Sequence, residues 1–414
     1  MNYKTFFVHN ILQRKEASLR ERFSTYQPPL CVSLCLCGKT TFPMQSLNDI
    51  KGLLDSFGLA PQKRFGQNFL FDQNLLAKVL ELAELSPDDT VLEVGPGTGS
   101  MTEELLARAA RVVAVEIDSG LHRLLASRFG GHENLTLLHE DVLAGKHEIS
   151  PTVLAALGDR AVLVSNLPYN IATPLVAQCL VTSWRSATFR GTGTPRSTGV
   201  SPMQTVSEEQ TSPSQPEADE TATPCAAHKQ SIEATLHGRD ARATGEAGET
   251  PAPRCGTHTL FPRLIFTVQA EVADRFHAEP GSSLYGPVSV LVTLLGQTRL
   301  GPIVPNTSFW PKPQVVSRIV RVDFDAARAA RVRDVPALKA LLSISFNQRR
   351  KQLASVARRK HSAFLPDELL AALDTARIDH TLRAEDVLPE QFLQAANLLA
   401  GKARPIGGVS PALE

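Results

Sequence analysis

Four consecutive residues, Asn166-Leu167-Pro168-Tyr169, carry groups that suit the binding of an exocyclic amine. They follow the apolar run of residues 161–164, and this pattern predicts a buried parallel strand that ends in a turn. Ligands of open α/β sheets bind at such carboxyl ends. The Asn166 side-chain oxygen and a nearby backbone carbonyl can accept hydrogen bonds from an amino group, and Tyr169 offers a flat face for a base, on a turn that Pro168 restricts. Taken alone, the four residues fit an ordinary strand-to-loop turn at least as well.

A glycine-rich turn lies upstream of this motif. Residues 90–94 predict a strand, Gly95-Pro96-Gly97-Thr98-Gly99 a turn, and residues 102–110 a helix, as in a nucleotide-binding cradle. Because position 100 is Ser, the spacing is G-x-G-x-G and differs from the G-x-G-x-x-G of dinucleotide-binding proteins. The G-x-G-x-G form is associated with S-adenosylmethionine enzymes.

Carboxylates follow the next two predicted strands. Glu116 follows residues 112–115 and lies 21 residues after Gly95, where a carboxylate can accept hydrogen bonds from ribose hydroxyls. Asp141 follows residues 135–138 and can reach the adenine edge of the same ligand, although it could instead cap a helix. Glycines and acids at successive strand ends predict a site for S-adenosylmethionine.

These motifs resemble those of the rRNA adenine N6-dimethyltransferases, most closely the type that acts on the small subunit. The resemblance runs in family order from about residue 61 to 400, is interrupted once, and rests on residues 63–70, 93–99, 166–170, 285–290, 309–317 and 345–351. It implies an α/β fold, in which a Rossmann-like sheet of the class I S-adenosylmethionine-dependent methyltransferases is joined to a small C-terminal all-helical domain. Ala270 departs from the family, which usually carries Lys there, and Trp310 is one of several accepted variants.

The resemblance also implies roles for individual residues. The cofactor S-adenosyl-L-methionine would be bound by Asn68, Leu70, Gly95, Gly97, Glu116, Asp141 and Asn166. The catalytic residues would be Asn166, Leu167, Pro168, Tyr169 and Phe309. Asn166 and Leu167 would hold the adenine N6 amine, and Tyr169 and Phe309 would enclose the base. Phe309 could alternatively be a core residue.

The chain divides by composition and pattern. We expect a partly disordered N-terminal extension over residues 1–60, a catalytic domain over 61–189 and 259–325, a low-complexity disordered insert over 190–258, a helical RNA-binding domain over 326–400, and a tail over 401–414. Residues 46–59 predict a short helix, and residues 288–300 and 315–324 predict the final strands. The family-like part could begin at Met44, so the position of the start codon stays open. The purpose of the insert is a second open question. A targeting peptide is disfavoured because the N-terminal segment lacks a long apolar core.

The net charge of +1 argues at first against an RNA substrate. However, residues 191–258 carry nine acidic and five basic residues, whereas residues 347–360 carry six basic residues and no acidic one. That second segment predicts a basic helix, and we expect RNA contact from Arg349, Arg350, Lys351, Arg358, Arg359 and Lys360. A merely solvated face is the alternative.

Other classes of protein fit less well. No run of about 18 apolar residues predicts a membrane span, and the six scattered cysteines indicate reduced thiols in the cytoplasm. Cys31, Cys35 and Cys37 match no zinc-binding pattern, so we expect no metal.

The predicted activity is direct methyl transfer from sulfonium to nitrogen. As the resemblance implies, it would dimethylate two adjacent adenosines near the 3′ end of small-subunit (16S) rRNA, as a cytoplasmic monomer with a role in subunit biogenesis. Residues 346–351 and 382–385 favour this type over a large-subunit rRNA methyltransferase. A non-catalytic assembly factor and a DNA adenine methyltransferase are the further alternatives.

Overall fold

A computed structural model describes residues 45–145, 148–189 and 259–404. The predicted disorder of the N-terminal extension before residue 45 and of the insert lies outside these residues, as do the cysteines at 31, 35 and 37 and the tail from 405 onward. The described strands are β1 (Phe69–Leu70), β2 (Thr90–Val94), β3 (Arg111–Glu116), β4 (Leu135–His139), β5 (Val162–Asn166), β6 (Arg263–Gln269), β7 (Gly296–Val304), β8 (Phe309–Trp310) and β9 (Ser317–Phe324).

A seven-stranded sheet with the order β4-β3-β2-β5-β6-β9-β7 forms the centre of the fold. The first five strands run parallel, and β9 lies antiparallel between β6 and β7. Strands β2, β3, β5 and β6 are nearly continuous runs of Val, Leu and Ile because both faces of a parallel sheet are covered by helices. Their carboxyl ends therefore meet at one edge, where the polar residues of the predicted site follow.

Helices cover both faces of the sheet and continue beyond it. They are α1 (Leu47–Ser56), α2 (Gln73–Ala83), α3 (Ser100–Leu106), α4 (Ser119–Phe129), α5 (Pro151–Leu157), α6 (Tyr169–Phe189), α7 (Ala270–Arg275), α8 (Pro287–Leu295), α9 (Ala326–Ala329), α10 (Val335–Phe346), α11 (Leu353–Ala357), α12 (Pro366–Thr375) and α13 (Pro389–Leu398). The short helix predicted after Ser46 is confirmed as α1, and Ser46 caps it by accepting a hydrogen bond from the Asp49 backbone nitrogen.

The helices after residue 325 begin where the sequence carries proline. Pro336, Pro366 and Pro389 each lie in the first turn of a helix, where the missing amide hydrogen costs nothing. Buried residues of α10, α12 and α13 share one apolar cluster with α6 and the adjoining face of the sheet. The C-terminal helices therefore share a continuous core with the catalytic domain.

Two predicted elements are wrong. Residues 288–295 form helix α8 rather than a strand. Apart from Ser289 and Thr293 this run is apolar, so the sequence carries no period that separates the two forms. Residues 347–360 do not form one helix, since α10 ends at Phe346 and only Leu353–Ala357 is helical within the segment. The basic residues consequently flank a short helix on both sides.

Among the described residues, no helix combines the length and the apolar character that a membrane crossing requires.

Candidate active site

A cleft opens at the carboxyl ends of β2, β3 and β5. The N-terminal segment before α2 forms one wall, and the glycine turn and the strand-end residues form the other. The cleft brings together every residue predicted to bind the cofactor and four of the five predicted catalytic residues, namely Asn68, Leu70, Gly95, Gly97, Glu116, Asp141, Asn166, Leu167, Pro168 and Tyr169. Phe309 is not among the lining residues.

The glycine turn needs its glycines for conformation and for space. Gly95 and Gly97 have φ angles of +67° and +64°, a region that side chains disfavour. A Cβ atom at Gly97 would lie 2.9 Å from the Phe69 ring. The turn thus brings bare backbone to the cleft, and the wall opposite is built from β1.

Gln45 fixes the glycine turn from outside the cleft. Its side-chain nitrogen donates to the Thr98 carbonyl oxygen at 3.2 Å, and its side-chain oxygen accepts from the Thr98 hydroxyl at 2.9 Å and the Ser100 hydroxyl at 3.0 Å. Gln45 is only 6% exposed. No local pattern in the sequence indicates this residue, because its partners lie more than fifty positions away.

Glu116 lies at the end of β3 with both carboxylate oxygens occupied. One oxygen accepts from the Gly97 backbone nitrogen at 3.3 Å and the other from the Asp118 backbone nitrogen at 2.9 Å. Burial raises the pKa of Glu116 to about 7, against the lowering effect of these hydrogen bonds. A carboxylate at this depth can exchange such bonds for those of ribose hydroxyls.

Glu93 lies behind the glycine turn, on β2. Burial raises the pKa of Glu93 to about 8, although the Thr102 hydroxyl donates to its carboxylate at 2.7 Å. The charge of Glu116 adds to the rise. At neutral pH, Glu93 is therefore protonated and contributes no charge to the floor of the cleft.

The far end of the cleft combines acidic and apolar side chains. Asp141 is exposed, and its carboxylate accepts from the Leu143 backbone nitrogen at 2.9 Å, so it also stabilises a turn. Ile117, Leu121 and Val142 line the same region. Carboxylates that accept hydrogen bonds, beside apolar surfaces that a purine can contact, fit the nucleoside part of S-adenosylmethionine.

Asn166 ends β5 with its side chain oriented by the opposite wall. The amide nitrogen donates to the Asn68 backbone carbonyl at 3.0 Å. The amide oxygen has no hydrogen-bond partner within the described ranges, and it is thus free to accept from an amine in the cleft.

Tyr169 begins α6, directly after the turn at Pro168. Its hydroxyl lies 2.9 Å from the hydroxyl of Ser317, which is fully buried at the start of β9. Burial raises the pKa of Tyr169, so the phenol is neutral. The contact fixes the hydroxyl end of the ring beside β9. In the sequence, Ser317 is only the last residue of the 309–317 motif, and no local pattern indicates this contact.

Phe309 lies in the core in this structure. It is 3% exposed, pairs with Leu70 through β1 and β8, and packs in one cluster with Val304 and Ile319. This is the alternative considered from the sequence. Tyr169 can therefore present a ring face to a base in the cleft. Phe309 could do so only if it moved out of the core.

The basic residues of the C-terminal domain divide into two kinds. Arg349 is engaged internally, since its guanidinium donates to the Glu385 carboxylate at 2.6 Å and to the carbonyls of Tyr285 and Ser282 at 2.8 and 3.2 Å. The other five are exposed, and their side chains make no hydrogen bond or ion pair with described residues; they are Arg350, Lys351, Arg358, Arg359 and Lys360.

In the same described parts of the chain, no group of three or more His, Cys, Asp or Glu side chains could hold a metal ion.

The mostly parallel sheet, the glycine turn and the acidic and amide side chains at its edge define a class I S-adenosylmethionine-dependent methyltransferase. The sequence profile described as "Ribosomal RNA adenine dimethylase" matches residues 59–197 and 255–401. The chain belongs to this family of S-adenosylmethionine-dependent rRNA adenine dimethyltransferases. The expected fold class, enzyme class and cofactor are thereby confirmed.

Individual relatives agree with this assignment. The chain is 32% identical over 355 residues to Ribosomal RNA small subunit methyltransferase A of Magnetococcus marinus, with 86% of this chain and 97% of that protein covered. The protein of the same name from Lachnoclostridium phytofermentans is 29% identical, with 85% and 96% covered. A dimethyladenosine transferase from Plasmodium falciparum, known from a crystal structure, has the same fold at a TM-score of 0.51 and 19% identity, over 81% of this chain and 98% of that one.

Proposed function

We propose that this protein dimethylates the N6 amines of two adjacent adenosines near the 3′ end of small-subunit (16S) rRNA, and that it acts in the biogenesis of that subunit. The name of the matched relatives, Ribosomal RNA small subunit methyltransferase A, supports the choice of subunit. The observation that carries the chemistry is the free amide oxygen of Asn166, at the mouth of a cleft built for a nucleoside.

The residues around the glycine turn would hold the methyl donor. Gly95, Gly97 and Asn68 supply backbone and amide groups, Glu116 accepts from the ribose hydroxyls, and Asp141 accepts from the adenine edge. When bound, S-adenosylmethionine supplies an activated methyl group on its sulfonium, so the reaction needs no metal.

Asn166 and Leu167 orient the amine of the target base. The N6 lone pair of adenine is delocalised into the ring and is a poor nucleophile. Hydrogen bonds from the N6 hydrogens to the Asn166 oxygen and the Leu167 carbonyl favour a more tetrahedral nitrogen, whose lone pair points into the cleft. Alignment of this kind can contribute about 7–11 kcal/mol toward a barrier when it is near ideal.

Tyr169 supports the base from one side. Stacking of a base on an aromatic ring contributes about 1–3 kcal/mol and holds a nucleotide that has left its helix. The nitrogen becomes cationic after it is methylated and loses its proton to water, so a dedicated general base is not required.

The exposed basic residues around α11 would bind the phosphates of the subunit RNA. Five unpaired cations on one short segment are a suitable electrostatic surface, whereas the partly exposed Arg349 is already paired with Glu385. On this basis the catalytic sheet over 61–189 and 259–325 performs the chemistry, and residues 326–400 add RNA affinity. The protein acts as a monomer in the cytoplasm, where its subunit substrate is found.

Incubation of the purified protein with unmethylated small and large subunits and labelled S-adenosylmethionine tests the proposal. We expect label in two adjacent adenosines of the small-subunit RNA, located by mass analysis. Label in large-subunit RNA alone would select the large-subunit alternative, and label in duplex DNA a DNA methyltransferase. Subunit binding without any heat of cofactor binding in calorimetry would instead establish a non-catalytic assembly factor.

A further inference from the structure

Two consecutive apolar side chains are exposed on the turn between β8 and β9. Val315 is 44% exposed and Val316 is 43% exposed. The other large apolar side chains that are exposed in the described ranges are isolated from one another in the sequence. An exposed apolar pair contributes little to the fold, and it commonly marks a surface that a partner covers.

The turn holds this pair at a fixed position beside the proposed base site. Pro313 is buried and restricts the backbone, and the Val316 carbonyl accepts a hydrogen bond from the Ala270 backbone nitrogen at 3.0 Å. The next residue, Ser317, makes the 2.9 Å hydroxyl contact with Tyr169. The valine pair is therefore tied directly to the ring that supports the target base.

The free charge near the pair is positive. On the same segment Arg318 is paired with Asp274, and Arg321 with Glu84 and Asp323, so these two arginines add no free charge. Lys312 is exposed and makes no ion pair with a described residue, and the Lys51 ammonium lies 5.5 Å from the centre of the Trp310 ring on the same turn. This charge complements a polyanion, and it favours RNA over an apolar protein surface as the partner.

We propose that Val315 and Val316 form a wedge that enters the RNA stack at the place the target adenosine leaves. The inference rests on the proposed function, since a base must leave its stack to reach Tyr169. Its departure exposes the faces of the neighbouring bases to water. Two valine side chains cover those faces and keep the base from returning, while Lys312 neutralises a flanking phosphate. Proteins that unstack or kink nucleic acids insert apolar side chains in this way.

Replacement of both valines by serine tests the wedge. Val315→Ser combined with Val316→Ser should lower kcat/KM for unmethylated small subunits about tenfold, while the calorimetric affinity for S-adenosylmethionine stays unchanged. The salt dependence of subunit binding should also be unchanged, because no charge is removed. Val315→Ile with Val316→Ile keeps the apolar surface and should retain activity. Leu398→Ser, at a side chain of equal 43% exposure on α13, is the matched control and should behave as the wild type.

Wild-type rates in the double serine variant would overturn the wedge, whereas a wild-type protein that methylates no small-subunit RNA would overturn the proposed function at an earlier step. Photocrosslinking provides a second measurement that does not depend on activity or on the folding of the serine variant. A chain with p-benzoylphenylalanine at position 316, bound to small subunits with S-adenosylhomocysteine, should crosslink to nucleotides that adjoin the target adenosines. Crosslinks to distant rRNA or ribosomal protein, or no crosslink, would contradict the inference.

Discussion

The side-chain nitrogen of Asn166 donates to the backbone carbonyl of Asn68 at 3.0 Å, across the cleft that separates the N-terminal segment from the sheet. One hydrogen bond thus decides which end of the amide faces the cleft. The donor end is held by the wall, and the acceptor end is left available to a ligand. Asparagine meets both requirements, since its side chain carries a donor and an acceptor.

Asn166→Ala should lower the rate of methyl transfer by about 10²-fold, in the range seen when a single orienting hydrogen-bond group is lost. Asn166→Asp should be similarly impaired, because a carboxylate has no hydrogen to donate to the Asn68 carbonyl. Single-turnover transfer to small subunits measures the rate, and filter binding measures subunit affinity, which should change little. Full activity in either variant would contradict the role in amine binding.

The Tyr169–Ser317 contact predicts coupling between two residues that lie 148 positions apart. Tyr169→Phe and Ser317→Ala each remove the same hydrogen bond and should each lower kcat/KM for subunits by about threefold to tenfold, as expected for roughly 0.5–1.5 kcal/mol. The double variant should be no worse than either single one. Ser308→Ala, which breaks a 3.0 Å bond to Asp72 instead, is the control and should combine additively with Tyr169→Phe. Additive losses for the Tyr169 and Ser317 variants would show that the hydroxyls act separately.

Much of this site could be predicted from the sequence because its residues follow buried strands. The apolar runs before Gly95, Glu116 and Asn166 indicate parallel strands, and the carboxyl ends of such strands meet. Gln45 and Ser317 could not be found in this way, since their hydrogen bonds join segments that only the folded chain brings together. The local sequence pattern also could not show whether Phe309 lies in the core or in the cleft.

The same limit explains the elements that were predicted wrongly. Residues 288–295 are apolar apart from Ser289 and Thr293, and their helical form depends on packing between the sheet and the C-terminal helices. The basic segment after Phe346 is interrupted because Arg349 turns inward to bind Glu385 and the loop before α8. Neither of these contacts between distant segments produces a periodic pattern within the local sequence.

The raised pKa of Glu116 predicts that cofactor affinity depends on pH. Only the carboxylate accepts bonds from both ribose hydroxyls, and burial raises the pKa of Glu116 to about 7 in the free protein. Affinity for S-adenosylmethionine should therefore increase as pH rises toward 7 and level off above it. Glu116→Gln should bind more weakly at pH 8 and lose this pH dependence. Calorimetry in a series of buffers checks both, and an equal slope in wild type and variant would assign the titration elsewhere.

The raised pKa of Glu116 affects the stability of the protein in the opposite direction to its effect on cofactor affinity. Because the pKa of Glu116 is higher in the folded than in the unfolded chain, its contribution to the free energy of unfolding is fully present below the ordinary glutamate range and is lost as pH rises through about 7. In the absence of cofactor, the wild type should lose stability relative to Glu116→Gln over this interval. Urea denaturation at several pH values measures the difference, and a constant difference would contradict the assignment.

The exposed basic residues and the paired Arg349 should respond differently to replacement. Joint replacement of Arg350, Lys351 and Arg359 by Ala should weaken subunit binding and reduce its salt dependence by about one unit for each lost phosphate contact. Arg349→Ala should instead lower the melting temperature, since it removes the guanidinium that links the Glu385 carboxylate to the carbonyls of Ser282 and Tyr285. Binding at several salt concentrations and thermal denaturation separate the effects. An unchanged salt slope in the triple variant would place the RNA on another surface.

Replacement of Gln45 should impair cofactor binding, although this residue lies outside the cleft. Gln45→Ala removes three hydrogen bonds and leaves the Thr98 hydroxyl without its acceptor, so the glycine turn should lose its fixed geometry. We expect KM for S-adenosylmethionine to rise about tenfold, with kcat at saturating cofactor nearly unchanged. Ser46→Ala is the matched control, because it removes the cap of the same helix without touching the turn. If Ser46→Ala raises KM equally, α1 acts only by its stability, and Gln45 has no direct part in positioning the turn.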